Sequence, residues 1–163
     1  MVHNVYGPKG DYLVGVISDT HGLVRPEAVA ALQGVSLIIH AGDVGTQEVL
    51  WQLRIIAPVV AVRGNTDQDY WARELPLTEV VEIGMVSFYV LHNVRELDVD
   101  PVVSGFSAVI SGHSHQPLID WRNGVLFLNP GSAGARRLKL NPSVAVLTVK
   151  EKSIKARIIG LGV

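Results

Sequence analysis

The sequence predicts an α/β fold in which two β-sheets pack face to face with helices outside. Three observations lead there. The first half alternates short apolar, β-branched runs with helical segments, the pattern of parallel strands joined by helices. The second half replaces the helices with closely spaced strand pairs, the pattern of antiparallel hairpins. The chain has 163 residues, a length that suits one domain able to bury roughly two thirds of its unfolded surface.

The elements follow in order. Met1–Gly10 is polar, carries Gly and Pro, and reads as a flexible leader, so the single domain is expected over 11–163. Tyr12–Ser18 reads as a buried strand. In Pro26–Leu32 the proline suits a first helical turn and Gly34 a stop. Val35–His40 is a second strand. Thr46–Ile56 is a second helix, with Thr46 as N-cap and Pro58 beyond its end. Val59–Val62 is a third strand and Gln68–Glu74 a short helix. Thr78–Ile83 and Val86–Leu91 flank Gly84-Met85 as a hairpin. Leu97–Ser104 is a weak helix candidate with Pro101 near its start, and Ala108–Ser111 a short strand. Leu118–Arg122 and Val125–Leu128 flank Asn123-Gly124, a strong hairpin signal. Val144–Val149 and Ile154–Ile159 form a last hairpin.

Composition removes several function classes. The net charge of −1 gives no basic excess, so there is no strong nucleic-acid signal. With no cysteine, disulfides, thiolate metal sites and cysteine nucleophiles are excluded. No apolar run approaches the length of a membrane span or of a signal-peptide core. The expectation is a cytoplasmic protein that does not engage a membrane, either monomeric or a small homo-oligomer.

The chemistry sits at strand ends. Tyr12–Ser18 runs into Asp19-Thr20-His21, and Leu37–His40 into Gly42-Asp43. Val59–Val62 runs into Gly64-Asn65, Val86–Leu91 into His92, and Ala108–Ser111 into Gly112-His113-Ser114-His115. Ligand crevices in α/β sheets lie outside the carboxyl ends of strands, so these residues are expected to converge. Carboxylate, imidazole and amide oxygen suit Mn, Fe, Zn, Co or Ni. Seven such groups are too many for one tetrahedral site and suit two ions sharing a carboxylate. A hydroxide held between two ions is a nucleophile at neutral pH, because metal binding lowers the pKa of water to about 7.

These residues resemble the pattern of the calcineurin-like metallophosphoesterases: Asp-x-His, Gly-Asp, Gly-Asn-His, a lone His, then Gly-His-x-His. Asn129-Pro130-Gly131-Ser132 is similar to the closing segment of the small one-domain branch, which holds compact phosphodiesterases and also the retromer scaffold subunit. The resemblance covers nearly everything from Tyr12 to Ile159. It implies a four-layer αββα fold, a two-sheet sandwich with helices on both faces. It implies one metal on Asp19, His21, Asp43 and His115, and another on Asp43, Asn65, His92 and His113, with Asp43 as the bridge. The implied ions are two divalent metals, with Mn first and Fe, Zn, Ni or Co also compatible. Two positions depart from the pattern. Thr66 stands where the larger enzymes carry the His that assists the leaving group, and Asn93-Val94 follows His92 where small-branch enzymes often carry Gly-His.

The catalytic set implied is therefore Asp43, Asn65, His92 and Thr66, the last replacing the usual general-acid His. The expected activity is metal-dependent hydrolysis of a small phosphodiester, with a monoester also within reach. The alternative is a catalytically weak or inactive protein-interaction scaffold of the same fold, and a nuclease is disfavoured by charge. His40 is expected beneath the site and not as a ligand. Arg63, Arg136 and Arg137 lie where they could grip phosphate, and Trp51, Trp71 and Trp121 are expected to pack in the core or hairpins. His3 has no assigned role.

Overall fold

The computed structural model describes residues 2–6, 10–136 and 139–163. Its strands are β1 (Val2–Tyr6), β2 (Asp11–Ile17), β3 (Leu37–His40), β4 (Val59–Ala61), β5 (Thr78–Ile83), β6 (Val86–Leu91), β7 (Ala108–Ile110), β8 (Leu118–Arg122), β9 (Val125–Asn129), β10 (Ser143–Lys150) and β11 (Ser153–Gly160). Two α-helices, α1 (Pro26–Ala31) and α2 (Gln47–Arg54), join β2 to β3 and β3 to β4. One sheet has the order β11-β10-β2-β3-β4 and the other β1-β5-β6-β7-β9-β8. The result is the two-sheet α/β sandwich expected.

Period-two alternation decides which side chains fill the sandwich. Val14, Val16, Leu37 and Ile39 point inward from one sheet and meet Phe88, Val90, Ile110, Leu126 and Leu128 from the other. The intervening Ile17 and Ile38 point outward beneath Leu32, Leu50 and Leu53 of the helical layer. The six-stranded sheet turns Tyr89, Leu91, Val109 and Val125 outward, where Leu97, Val99 and Phe106 cover them.

β2, β3 and β4 run parallel to one another, as do β6, β7 and β9. Their carboxyl ends therefore lie along one rim of each sheet, and the ligand-type residues follow directly from those ends.

Several expectations need correction. Val2–Tyr6, inside the expected loose leader, forms an edge strand parallel to β5. Leu97–Ser104 is not a helix. A 3₁₀ turn covers Val94–Glu96, and Asp100 Oδ1 then accepts from the amides of Val102 and Val103, so the carboxylate organises a turn ahead of Gly105. Gln68–Glu74 contributes its short helix as a 3₁₀ turn over Tyr70–Glu74. Thr46 occupies the N-cap position without a side-chain capping bond. Trp71 packs on the helical-side core, whereas Trp51 and Trp121 are half exposed.

Candidate metal centre

Backbone bonds stitch the loops in pairs, the one after β2 to the one after β3 and the one after β6 to the one after β7. Asp19 N–H donates to Gly42 C=O at 3.0 Å, and His21 N–H donates to Asp43 C=O at 3.0 Å. Gly112 N–H donates to His92 C=O at 2.9 Å. The closing segment adds Ser132 Oγ–H donating to Asp19 C=O at 3.1 Å, while Asn129 Nδ2 donates to Gly112 C=O at 2.8 Å.

Backbone conformation marks the same residues. Asp19, His21, Asp43, His113 and His115 all have positive φ, between 47° and 69°. Among the described residues the other non-glycines there are Asn123 and Glu151, both in hairpin turns. Left-handed backbone costs a non-glycine residue about 1 kcal/mol or more, and it persists only where the surroundings over-determine it.

The side chains form two groups joined through Asp43. In the first, Asp19 Oδ1 lies 3.1 Å from His115 Nε2 and 4.0 Å from His21 Nε2. In the second, Asn65 Oδ1 lies 3.0 Å from His92 Nε2 and 3.1 Å from His113 Nδ1. Asp43 Oδ2 lies 3.3 Å from His92 Nε2 and 3.8 Å from His21 Nε2. The structure thus brings all seven sequence-predicted ligands together. Asp19 also comes within ligand distance of Asp43 and His92, so it approaches both groups.

Two features test whether a cation fits. Asp19 Oδ1 is fully buried and makes no hydrogen bond, with the His115 ring nitrogen 3.1 Å away, an arrangement that is costly for a carboxylate oxygen without a cation. The His92 ring sharpens the point. Its Nδ1 lies 2.7 Å from Ala41 C=O, and a carbonyl only accepts, so Nδ1 carries the proton. In the neutral ring Nε2 then turns a lone pair toward two oxygen acceptors, Asn65 Oδ1 and Asp43 Oδ2. A proton or a metal ion on Nε2 resolves that conflict, and the Nδ1–H bond to a carbonyl is how ligating histidines are oriented.

The electrostatics agree. Burial alone would raise the Asp43 carboxyl, but bonds from His92 and from the Thr66 amide outweigh it and hold Asp43 below the usual carboxylate range. Burial alone would lower His92, yet its bonds to Asp43 and Ala41 hold it above the ordinary histidine value.

Residues outside the donor set hold it in place. Thr66 donates its N–H to Asp43 Oδ1 at 3.0 Å, and its hydroxyl also stabilises that carboxylate. His40 is fully buried. Its Nδ1 accepts from Gly42 N–H at 3.1 Å, and its Nε2 lies 2.9 Å from Thr20 Oγ1, whose own hydrogen goes to Val44 C=O. This is the supporting position expected for His40, and burial pushes its pKa down to about 3. Asp67 was missed in the sequence. It is buried and accepts from Val44, Gly45 and Gly64 amides at 3.1, 3.0 and 2.9 Å, tying the Asp43 loop to the Asn65 loop. Its only sequence signal is the turn-like Gly64-Asn65-Thr66-Asp67. Of the three arginines, Arg63 lines a cavity beside Asn65, His92 and His113, Arg136 is exposed, and Arg137 lies outside the described residues.

Comparison with known proteins points the same way. The family model for the calcineurin-like phosphoesterase superfamily domain matches residues 12–152. A probable metallophosphoesterase of Methanothermobacter thermautotrophicus is 38% identical over 162 residues, covering 92% of this chain and 93% of its own. An archaeal phosphodiesterase structure is similar in fold, with a TM-score of 0.75 at 23% identity over 90% of this chain and 99% of that one. Vps29 of Entamoeba histolytica, solved with Zn²⁺, has a TM-score of 0.68 at 24% identity over 92% and 99% of the two chains. Sequence match, strand topology and rim geometry therefore agree, and the chain belongs to the calcineurin-like phosphoesterase superfamily.

Proposed function

We propose that the protein is a single-domain, dinuclear-metal phosphodiesterase that acts in the cytoplasm on a small phosphoester. The observation that carries this reading is convergence. Side chains from five strand ends turn oxygen and nitrogen acceptors toward one another, with Asp43 between the two groups. Asp19, His21, Asp43 and His115 would hold one divalent ion, and Asp43, Asn65, His92 and His113 the other, with Mn first and Fe, Zn, Ni or Co compatible. The bound ions supply Lewis acidity, polarising phosphoryl oxygens and activating water for attack.

The chain's own residues do the rest. Buried Asp19 and Asp43 place negative charge beneath the site, while His21, Asn65 and His113 leave its solvent side open to substrate. Arg63 stands beside them to hold phosphate oxygens. Thr66 fixes Asp43, and its hydroxyl has no pKa near neutrality, so the proton for the leaving alcohol comes from solvent or substrate. A scaffold of the same fold would have no chemical need for this donor set.

Metal-stripped protein should fail to hydrolyse bis(4-nitrophenyl) phosphate, and activity should return when Mn²⁺ is added. Undiminished turnover by protein that elemental analysis finds metal-free would overturn the proposal.

A further inference from the structure

Two cavities flank the candidate centre, and they differ in chemistry. The larger, about 280 Å³, has Asn65, His92 and His113 on one side and Arg63, Thr78, Glu96 and Asp98, together with apolar Leu77 and Leu91, around the rest. The smaller, about 90 Å³, is lined by apolar Val94, Leu118, Phe127 and Leu128 and also by polar Ser111, Ser114 and Asn129, with the Arg122 guanidinium lying 4.6 Å over the Phe127 ring. Asn93 and His113 line both, so the cavities are neighbours beside His113.

A phosphodiester has two ester arms, and a phosphorus held near His113 would send one toward each cavity. A phosphomonoester would leave one cavity empty. The two linings select different arms. The apolar part of the smaller lining, Val94, Leu118, Phe127 and Leu128, suits a short alkyl or single-ring aryl group. The larger space offers donors from Arg63 and Asn93, acceptors from Glu96 and Asp98, and both from Thr78. That mixture suits hydroxyl groups, which donate and accept. A second phosphate is disfavoured there, because two carboxylates face it against one guanidinium.

We propose, on the basis of the phosphodiesterase reading above, that the substrate is an unsymmetrical phosphodiester: one compact apolar arm occupies the smaller cavity, and one hydroxyl-bearing arm without a further phosphate occupies the larger. Hydrolysis adds water across one P–O bond, so that bond breaks, the departing oxygen takes a proton, and a phosphomonoester remains.

The test uses three 4-nitrophenyl diesters with the Mn²⁺-loaded protein. The second arm is 2-(2-hydroxyethoxy)ethyl, hexyl of equal length, or the hydroxyethoxyethyl arm with a terminal phosphate. All release nitrophenolate, so leaving-group chemistry is constant. The hydroxylated arm should exceed the hexyl arm at least about tenfold in kcat/KM, mainly through KM, since a site built for hydroxyls discriminates against their loss. The phosphorylated arm should be poorest. Glu96→Gln/Asp98→Asn should improve the phosphorylated arm more than either of the other two. Equal or better use of the hexyl ester, or a double variant that changes all three alike, would overturn the proposal. If no diester turns over, the phosphodiesterase reading fails separately. Calorimetric binding of 2-(2-hydroxyethoxy)ethyl phosphate against hexyl phosphate then decides the arm preference, with equal or tighter binding of the hexyl compound counting against it.

Discussion

Asp43 and Asp67 are both buried aspartates near the rim, and they do different work. Asp43 turns one oxygen into the donor set and gives the other to the Thr66 amide. Asp67 turns both oxygens to backbone amides. Asp43→Asn should therefore lose at least about 10²-fold in kcat/KM, the scale of removing one key electrostatic element. Asp67→Asn places an amide group against backbone N–H donors and should destabilise by about 1–3 kcal/mol, while also weakening metal affinity because the loops carrying Asp43 and Asn65 part. Unfolding curves and metal titrations on both variants separate the roles. An Asp67→Asn protein of native stability and full metal content would refute the second. His40 gives a pH signature. Its ordinary pKa is 6.5 and its folded value about 3, so between these the unfolded chain binds the extra proton. The His40 contribution is thus complete above pH 6.5 and is lost as pH falls toward 3, at no more than about 1.4 kcal/mol per pH unit. In metal-free protein, His40→Gln should show a shallower loss of stability on acidification than the parent chain. Parallel curves would contradict this assignment.

At the scale of elements, the strand-to-loop transition is the working unit. The ligand loops leave buried strands and pack against neighbouring loops, and those after β2, β3 and β7 turn through left-handed backbone at an aspartate or histidine. Space there is tight. A Cβ on Gly64 would overlap the Asp43 carboxylate and backbone nitrogen, and one on Gly112 would overlap Ser18 Oγ and approach Asp19 Oδ2 to 2.6 Å. Gly64→Ala should keep the circular-dichroism spectrum and lose about 10²-fold in turnover, the effect of misplacing a reacting group by about 1 Å. Unaltered turnover would show that the loop yields without moving Asp43. These transitions explain what the sequence makes legible. Apolar β-branched runs that stop at Asp, Asn or His are a local pattern, so β2 to β11 and the seven candidate donors can be found by reading along the chain. Asp67 is harder, because two of its amides, those of Val44 and Gly45, come from a loop over twenty positions away. β1 is hidden because its short run Val2–Tyr6 lacks sustained alternation and pairs only at a sheet edge. The segment before Phe106 misleads because an aspartate-centred turn imitates a helix start.

At the scale of the whole molecule, the donor set is divided between the sheets. Asp19, His21, Asp43 and Asn65 follow β2, β3 and β4, whereas His92, His113 and His115 follow β6 and β7. Bound ions would connect the two layers, and any ligand that binds only the folded state stabilises it. At a thousandfold excess over its dissociation constant the gain is about 4 kcal/mol, which for a chain of this size raises Tm by roughly 10 °C. Calorimetry with Mn²⁺ and with a chelator should show that difference, and coincident transitions would argue against metal binding by the folded protein. The division has an evolutionary consequence. Phe88, Ile39, Val16 and Leu126 touch no substrate, yet their volumes set how far apart the sheets stand and so how far His92 and His113 lie from Asp43 and Asn65. Interior replacements that preserve stability can still alter that separation, so drift in the apolar interior is bounded by turnover at the rim as well as by folding.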